Sequence, residues 1–381
     1  MNRSRLTSFA LNRIASPHPG SPPAAIPTSP VGSGTFAPRQ LAVFSLAALS
    51  LVVSACGSSS GSAQADAGSA TASKPATTTT TTQPVALSAS TPSWQLRNPL
   101  SRMVLLPTAN NELVILGGLT ASDTSASGIF QLNPSNGSLT ALGALPAAVH
   151  DAAGAVIGSS YMVMGGGSVN TVASVEAAPS KGGNAKVIGS LPQPRSDLSA
   201  VSVNGDTVIV GGYDGSTADA AVLSTADGVN YKTISTLKVP VRYAALAAAG
   251  GSVYVFGGMG VGGSTSGQPS SSVQKIDISS GVTTVVGSLP EPLEGAMAFV
   301  LHGQIYLAGG DTGTGSNQVS NAAVWLYQPG SGFSRKATLP LAVSNAGVAV
   351  LGGAAWIVGG EHNGKATAVV QTITEKPAAN S

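Results

Sequence analysis

Cysteine is almost missing from this chain. Among 381 residues there is one, Cys56, so no intramolecular disulfide can form. Charged residues make up 9% and aromatics 4%, which leaves too little charge to coat the solvent faces of many amphipathic helices. No apolar run reaches the roughly 20 residues that a spanning helix needs. The formal charge of +2 comes from the N-terminus: residues 1–55 hold Arg3, Arg5, Arg13 and Arg39 and no acid, and the remainder carries 14 basic against 16 acidic residues, a net −2. A nearly neutral remainder offers no field for a polyanion, so nucleic acid is not an expected partner. The glycine-rich GGGS and GVGGS stretches lack a following Lys and helix signal, so they are not nucleotide loops. Nor does any stretch spell a catalytic triad or a metal cluster.

What the chain has in quantity is glycine, 48 residues of it, within a composition that is 43% apolar. Ala, Gly, Val, Ser and Thr dominate. Such a mixture suits short β-strands joined by glycine-rich turns, and the length is ample for a large core. The expected class is all-β.

The N-terminus reads as an address. Residues 41–55, LAVFSLAALSLVVSA, lie between Arg39 and Cys56 and have the length of a signal h-region. A polar, low-complexity stretch rich in Ser, Thr and Ala follows, which suits a flexible tether. Val53-Ser54-Ala55-Cys56 resembles a bacterial lipobox, in which the cysteine becomes lipid-modified and N-terminal. The resemblance implies a protein anchored in the bacterial cell membrane through lipid on Cys56, facing the outside or the periplasm. The segment ahead of the apolar run is nearly 40 residues long, against 15–30 for whole signal peptides, and Val31 is a candidate downstream start. The organisation expected is a signal peptide over 1–55, a tether over 56–90, a folded domain over 91–376 and a tail at 377–381.

Six segments share one pattern: NELVILGGLT, SSYMVMGGGS, GDTVIVGGYD, GSVYVFGGMG, GQIYLAGGDT and AAWIVGGEHN. Each is an apolar strand ending in Gly-Gly. The first glycines are Gly117, Gly165, Gly211, Gly257, Gly309 and Gly359, spaced 48, 46, 46, 52 and 50 residues apart. Ahead of each later pair stands a Leu-Pro or similar dipeptide (Leu145-Pro146, Leu191-Pro192, Val239-Pro240, Leu289-Pro290, Leu339-Pro340), then a strand of small residues. A period near 48 belongs to arrays in which each repeat is one small sheet. Small residues let the first strands crowd round an axis, and the glycines let backbone approach where a side chain would clash.

With those features the region 93–375 resembles the kelch repeat family of β-propellers. The resemblance implies a six-bladed β-propeller of kelch type. The Tyr and Trp usual after kelch glycines are not in register here; Trp94 and Trp325 stand elsewhere. After its Gly-Gly the sixth repeat has room for one more strand, about 367–375, while Ser93-Trp94-Gln95-Leu96-Arg97 precedes the first repeat unassigned. Joining the two completes the last blade with an N-terminal strand and removes an exposed sheet edge.

Alternating strand direction puts the lead into each first strand and the loop after Gly-Gly on one face. Counting back from each Gly-Gly selects Arg102, His150, Arg195, Arg242, Glu294 and Ser344 as a ring at the channel mouth, with Asp151, Asp197 and Tyr243 beside them. Converging arginines suit a carboxylate, a sugar acid or an acidic peptide. An Arg after the Leu-Pro pair also serves to support loops in kelch-like repeats, and His150 and Glu294 depart from that Arg. The loops after Gly-Gly vary most, YDGSTAD and the long loop at 259–272 among them, and such loops on a rigid scaffold carry recognition. Asp214, Asp311 and Glu361 sit in ordinary turn chemistry, so neither metal nor cofactor is expected.

The family resemblance implies a binding module for a protein or carbohydrate ligand, expected as a monomer. Two enzyme types with kelch-like blades supply the alternatives. The galactose oxidase type needs a Tyr–Cys crosslink and copper, but the single Cys belongs to the signal junction and His150, His302 and His362 have no ligand spacing. The N-acetylneuraminate epimerase type would need an acid/base pair at the mouth, for which Glu294 with Arg242 or His150 are the candidates.

Overall fold

The structure, a computed structural model, describes residues 86–261 and 266–376. The expected signal, the lipobox with Cys56 and the tail at 377–381 lie outside the described residues. No helix among the described residues is long and apolar enough to cross a membrane.

Six four-stranded antiparallel sheets follow one another, and the protein is a six-bladed β-propeller. Blade 1 comprises Val104–Pro107, Leu113–Leu116, Gly128–Leu132 and Leu139–Ala144. Blades 2 to 5 repeat that order over 153–190, 199–236, 245–293 and 297–338. Each inner strand lies beside the next, and that of blade 6, Gly347–Leu351, lies beside Val104–Pro107, so the ring is closed. The inner strands surround a channel of about 630 Å³.

The second strand of each repeat is apolar at nearly every position because both of its faces are buried. Val114 and Leu116 pack on Tyr161 and Val163 of blade 2, whereas Leu113 and Ile115 pack on Ala349 and Val358 of blade 6. Six such clusters fill the six seams between blades.

The Gly-Gly pairs tie the seams together. Gly117 has φ +62°, and a Cβ there would meet the Val149 carbonyl oxygen at 2.5 Å. The N–H of Gly118 donates to that same carbonyl at 2.9 Å. The bond recurs from Gly166, Gly212, Gly258, Gly310 and Gly360 to Arg195, Val241, Leu293, Val343 and Leu100, at 2.7–3.0 Å. A second ring lies inside it. Arg102, Asp151, Asp197, Tyr243, Gly295 and Asn345 all have positive φ, between 49° and 60°. The N–H of each donates to the carbonyl of its counterpart one blade back, at 2.8–3.1 Å, and Arg102 closes the circle on Asn345.

The strand that completes blade 6 is N-terminal, but it is not 93–97. It is Ala86–Ser90, which pairs antiparallel with Val370–Lys376 from Ala86 opposite Lys376 to Ser90 opposite Thr372. Its sequence, ALSAS, has the composition of the tether, because an outermost strand buries one side and needs only Leu87 and Ala89 to face the core. Residues 93–97 instead cap the seam between blades 6 and 1. The Leu96 N–H donates to the Ala368 carbonyl at 2.9 Å, and Trp94 stacks on Trp356 with centroids 6.1 Å apart. The dipeptide repeat also shifts in one place. Leu237, not Val239, takes the position of Leu145, Leu191 and Leu339, each donating its N–H back to the start of the preceding blade's third strand region.

On the third strands, Gln274 and Gln371 clamp the lead-in loops of their blades. Gln274 accepts from the N–H groups of Lys238 and Val239 and donates to the Val239 carbonyl, and Gln371 makes the same pair of bonds with Leu341. Glu176 holds the same register in blade 2, two residues before Gly-Gly on the paired strand, but its Oε2 is enclosed without a partner.

Two predictions follow from this packing. Deleting residues 86–90 exposes the edge of Val370–Lys376 and removes Leu87, and should cost about 3 kcal/mol or more; an unchanged melting temperature by calorimetry would contradict strand closure. Burial pushes the Glu176 carboxyl up from 4.5 to about 7. A folded value above the unfolded one contributes stability below pH 4.5 that is lost as pH rises through about 7. Glu176→Gln should therefore raise the melting temperature at pH 8 by several degrees and change it little at pH 4.5, on a scale of about 2 kcal/mol.

Candidate functional site

The loops after Gly-Gly and the leads into the first strands meet on one face, as strand direction requires. His150, Arg242, Glu294 and Ser344 each form a bridge with the residue that follows a Gly-Gly pair: Gly167, Met259, Asp311 and Glu361. Ser196 does the same with Tyr213, and Ser101 lies in the strand paired with Leu119. Two of the counted positions are therefore displaced. Arg102 lies one residue deeper, in the inner ring of positive-φ residues, because the hairpin turn between the first two strands of blade 1 has three residues, 109–111, where that of blade 2 has two. Arg195 lies one residue earlier and does not reach the mouth. It is 1% exposed, ion-paired with Asp219 at 2.7 Å and bonded to the Ala221 carbonyl at 2.9 Å. Arg195 supports a loop.

Arg102 is fully engaged. Its guanidinium holds Glu361 through Nε (2.5 Å) and Nη2 (3.1 Å), while Nη1 reaches Asp151 (3.0 Å) and the Tyr243 hydroxyl (2.8 Å). Blades 1 and 4 stand opposite each other in a six-membered ring, so the bond from Arg102 to Tyr243 crosses the axis and roofs the channel. Below that roof is a small cavity of about 120 Å³, lined by Arg102, Asp151, Asp197, Tyr243, Gly295 and Asn345 among others. The Tyr243 hydroxyl also accepts from Arg242 Nη2 at 2.9 Å and lies 3.3 Å from Asp151. Burial and the neighbouring carboxylates hold that phenol well above its usual value, so it stays protonated.

Arg242 is clamped. Its guanidinium carbon lies 4.7 Å from the Tyr213 ring centre and 4.6 Å from that of Tyr243, and Nε faces Asp197 at 2.7 Å. His150 contacts the Ser125 hydroxyl through Nδ1 at 2.9 Å, with Nε2 3.6 Å from Asp151. Ser344 is enclosed and donates to Asp311, which also accepts from Ser320 and Gln318. Glu294 is 6% exposed, and its Oε2 has no donor among the described residues. Burial, then Asp311, pushes its carboxyl up to about 7; burial and then Asp151 do the same to Asp197.

The counting brought His150, Arg242, Glu294 and Ser344 to the mouth, with Asp151 and Asp197 beside them, but left Glu361, the second acid on Arg102, as ordinary turn chemistry. Glu361 stands immediately after Gly359-Gly360, so the residue following the pair was the available signal. No group of three His, Asp or Glu among the described residues is placed to hold a metal ion. Asp214 spends both oxygens on Ser216 and Thr217 of its own turn.

Comparison with known proteins gives the fold and stops there. No family model and no curated protein matches the chain. A solved structure does, described as "Structure of YjhT", with a TM-score of 0.63 at 15% identity over 74% of this chain and 99% of that one. This chain is similar to YjhT in fold. At that identity, YjhT supplies no residue roles, so the mouth has to be read from its own chemistry.

Tyr243→Phe removes the hydroxyl shared by Arg102, Arg242 and Asp151 and leaves the ring backbone in place. It should lower stability by about 1–3 kcal/mol, read as a drop in melting temperature. A variant as stable as the parent would show that the cross-axis contact carries no energy.

Proposed function

We propose that this protein is a binding module displayed at the cell surface, tethered through lipid on Cys56 and recognising a carbohydrate or protein ligand with the mouth face of its propeller. The observation that carries this reading is the pairing of a clamped donor with an uncommitted acceptor. Arg242 is fixed between Tyr213 and Tyr243, and Glu294 lies within electrostatic reach of it with an oxygen that no protein group satisfies. Groups held rigid before a ligand arrives lower the cost of ordering on binding. The direction of the chain supports the display: Ala86 pairs with Lys376 at the end of blade 6 away from Gly359, so the N-terminal segment joins the propeller on the face opposite the mouth.

A second reading is favoured by one observation. A carboxyl poised near 7 beside an arginine is what a general acid or base needs, so Glu294 could serve an enzyme of the sugar-acid-modifying kind. Its substrate preference fits less well, because Asp151 and Glu361 already occupy Arg102.

A glycan and cell-wall fragment screen on the full chain separates the readings. For a binding module, replacing the exposed turn residues 214–217 with Gly/Ser, which keeps Tyr213 and the Arg195–Asp219 pair, should weaken the best ligand at least tenfold, with no product formed. For an enzyme, Glu294→Gln should abolish turnover while the substrate still binds. Ligand binding unaffected by the loop replacement would contradict recognition at this face.

A further inference from the structure

The charge balance of the mouth narrows the class of ligand, given that the mouth is the binding face. Five carboxylates surround it: Asp151, Asp197, Glu294, Asp311 and Glu361. Arg102 answers Glu361 and Asp151, and Arg242 answers Asp197. Among the described residues Asp311 is satisfied by neutral donors alone, Ser320, Ser344 and Gln318. Glu294 Oε2 has no donor among the described residues, although only 6% of the residue is exposed. Glu294 and Asp311 are neighbours, joined by two backbone bonds of 3.1 and 2.8 Å. Two buried acids thus share one corner of the mouth with no cation of their own.

Such an arrangement is costly when both acids are ionised, because a carboxylate taken out of water needs a partner. The charged and titratable groups that act on Glu294 are Asp311, Arg242, Arg102 and Glu361, and their balance together with burial favours the protonated acid near neutral pH. A positive charge arriving from outside would reverse that preference. We propose that the mouth receives a primary ammonium group of its ligand, seated against the Glu294 carboxylate on the Asp311 side.

Other cations fit less well. A metal ion lacks a ligand set, since no group of three His, Asp or Glu among the described residues converges on one. A quaternary ammonium wants free aromatic faces, and the faces of Tyr213 and Tyr243 are covered by Arg242. An anion would meet a surplus of carboxylates with both arginines already paired. A compact ammonium with three donors is small enough to approach the exposed edge of the Glu294 carboxyl and still bond to neighbouring acceptors. Two sources share this chemistry, an amino sugar and a lysine side chain.

The test is calorimetric titration of the full chain with glucosamine and with Nα-acetyl-lysine amide. N-acetylglucosamine and gluconate serve as the neutral and anionic counterparts. An amine should bind at least tenfold more tightly than N-acetylglucosamine, releasing a proton as Glu294 ionises. For Nα-acetyl-lysine amide, whose side-chain ammonium stays charged over this range, the affinity should rise about tenfold from pH 6 to pH 8, the change expected for one linked group titrating near 7. Glu294→Gln should abolish both the amine preference and the pH dependence, with a melting temperature at pH 8 no lower than that of the parent. Which amine binds identifies the source. If N-acetylglucosamine or gluconate binds as tightly as the amines, and the 214–217 replacement removes that binding, the mouth remains the binding face and the ammonium assignment fails. Amine affinity that survives Glu294→Gln, or no amine binding at all, also overturns the assignment.

Discussion

Everything at the mouth depends on a circle of backbone hydrogen bonds that no single blade can make. Each of six residues, from Arg102 round to Asn345, turns through positive φ and hands its N–H to the same position one blade back. For Arg102 and Tyr243 that conformation costs energy in isolation, on the order of 1 kcal/mol each. It persists because the Gly-Gly bond one layer out fixes the same segments from the other side, leaving the lead-in backbone no other way to satisfy its polar groups. Closure is therefore cooperative, and Ala86–Ser90 matters because it completes the sheet on which the last of these bonds rests.

The circle also dictates the chemistry. The six ring residues line one small cavity, so these positions are brought together whatever residues occupy them. Asp151 and Asp197 on adjacent blades would repel, and Arg102, Arg242 and Tyr243 are the groups that hold them. Because Arg102 lies opposite Tyr243, a single guanidinium roofs the channel and joins blades 1, 2, 4 and 6. The unanswered charge then falls on Glu294, on the side of the ring where Gly295 contributes no side chain at all.

Much of the architecture could be read from the chain because it repeats. Six Gly-Gly pairs in register, each after an apolar strand, report a backbone requirement that a propeller imposes six times. Closure by an N-terminal strand was legible from the missing last strand of the sixth repeat. Its location was not, since ALSAS carries a single inward Leu87, whereas the more conspicuous Trp94 and Leu96 serve to cap a seam. Site positions were legible to within one residue. That precision suffices for His150, Arg242, Glu294 and Ser344, but it fails for Arg195, where one step back from the mouth means a buried pair with Asp219. The acids that neutralise Arg102 and Arg242 come from other blades, as Glu361 does for Arg102 at a separation of 259 residues, so the place of Glu361 after its Gly-Gly was legible but its partner was not.

Hydrogen exchange measured residue by residue on the ring amides tests the closed circle most directly. The amides of Arg102, Asp151, Asp197, Tyr243, Gly295 and Asn345 should exchange together, only through global unfolding, with Arg102 as protected as the other five. Rapid exchange at Arg102 while its counterparts stay protected would show the ring open between blades 6 and 1, and would contradict the account.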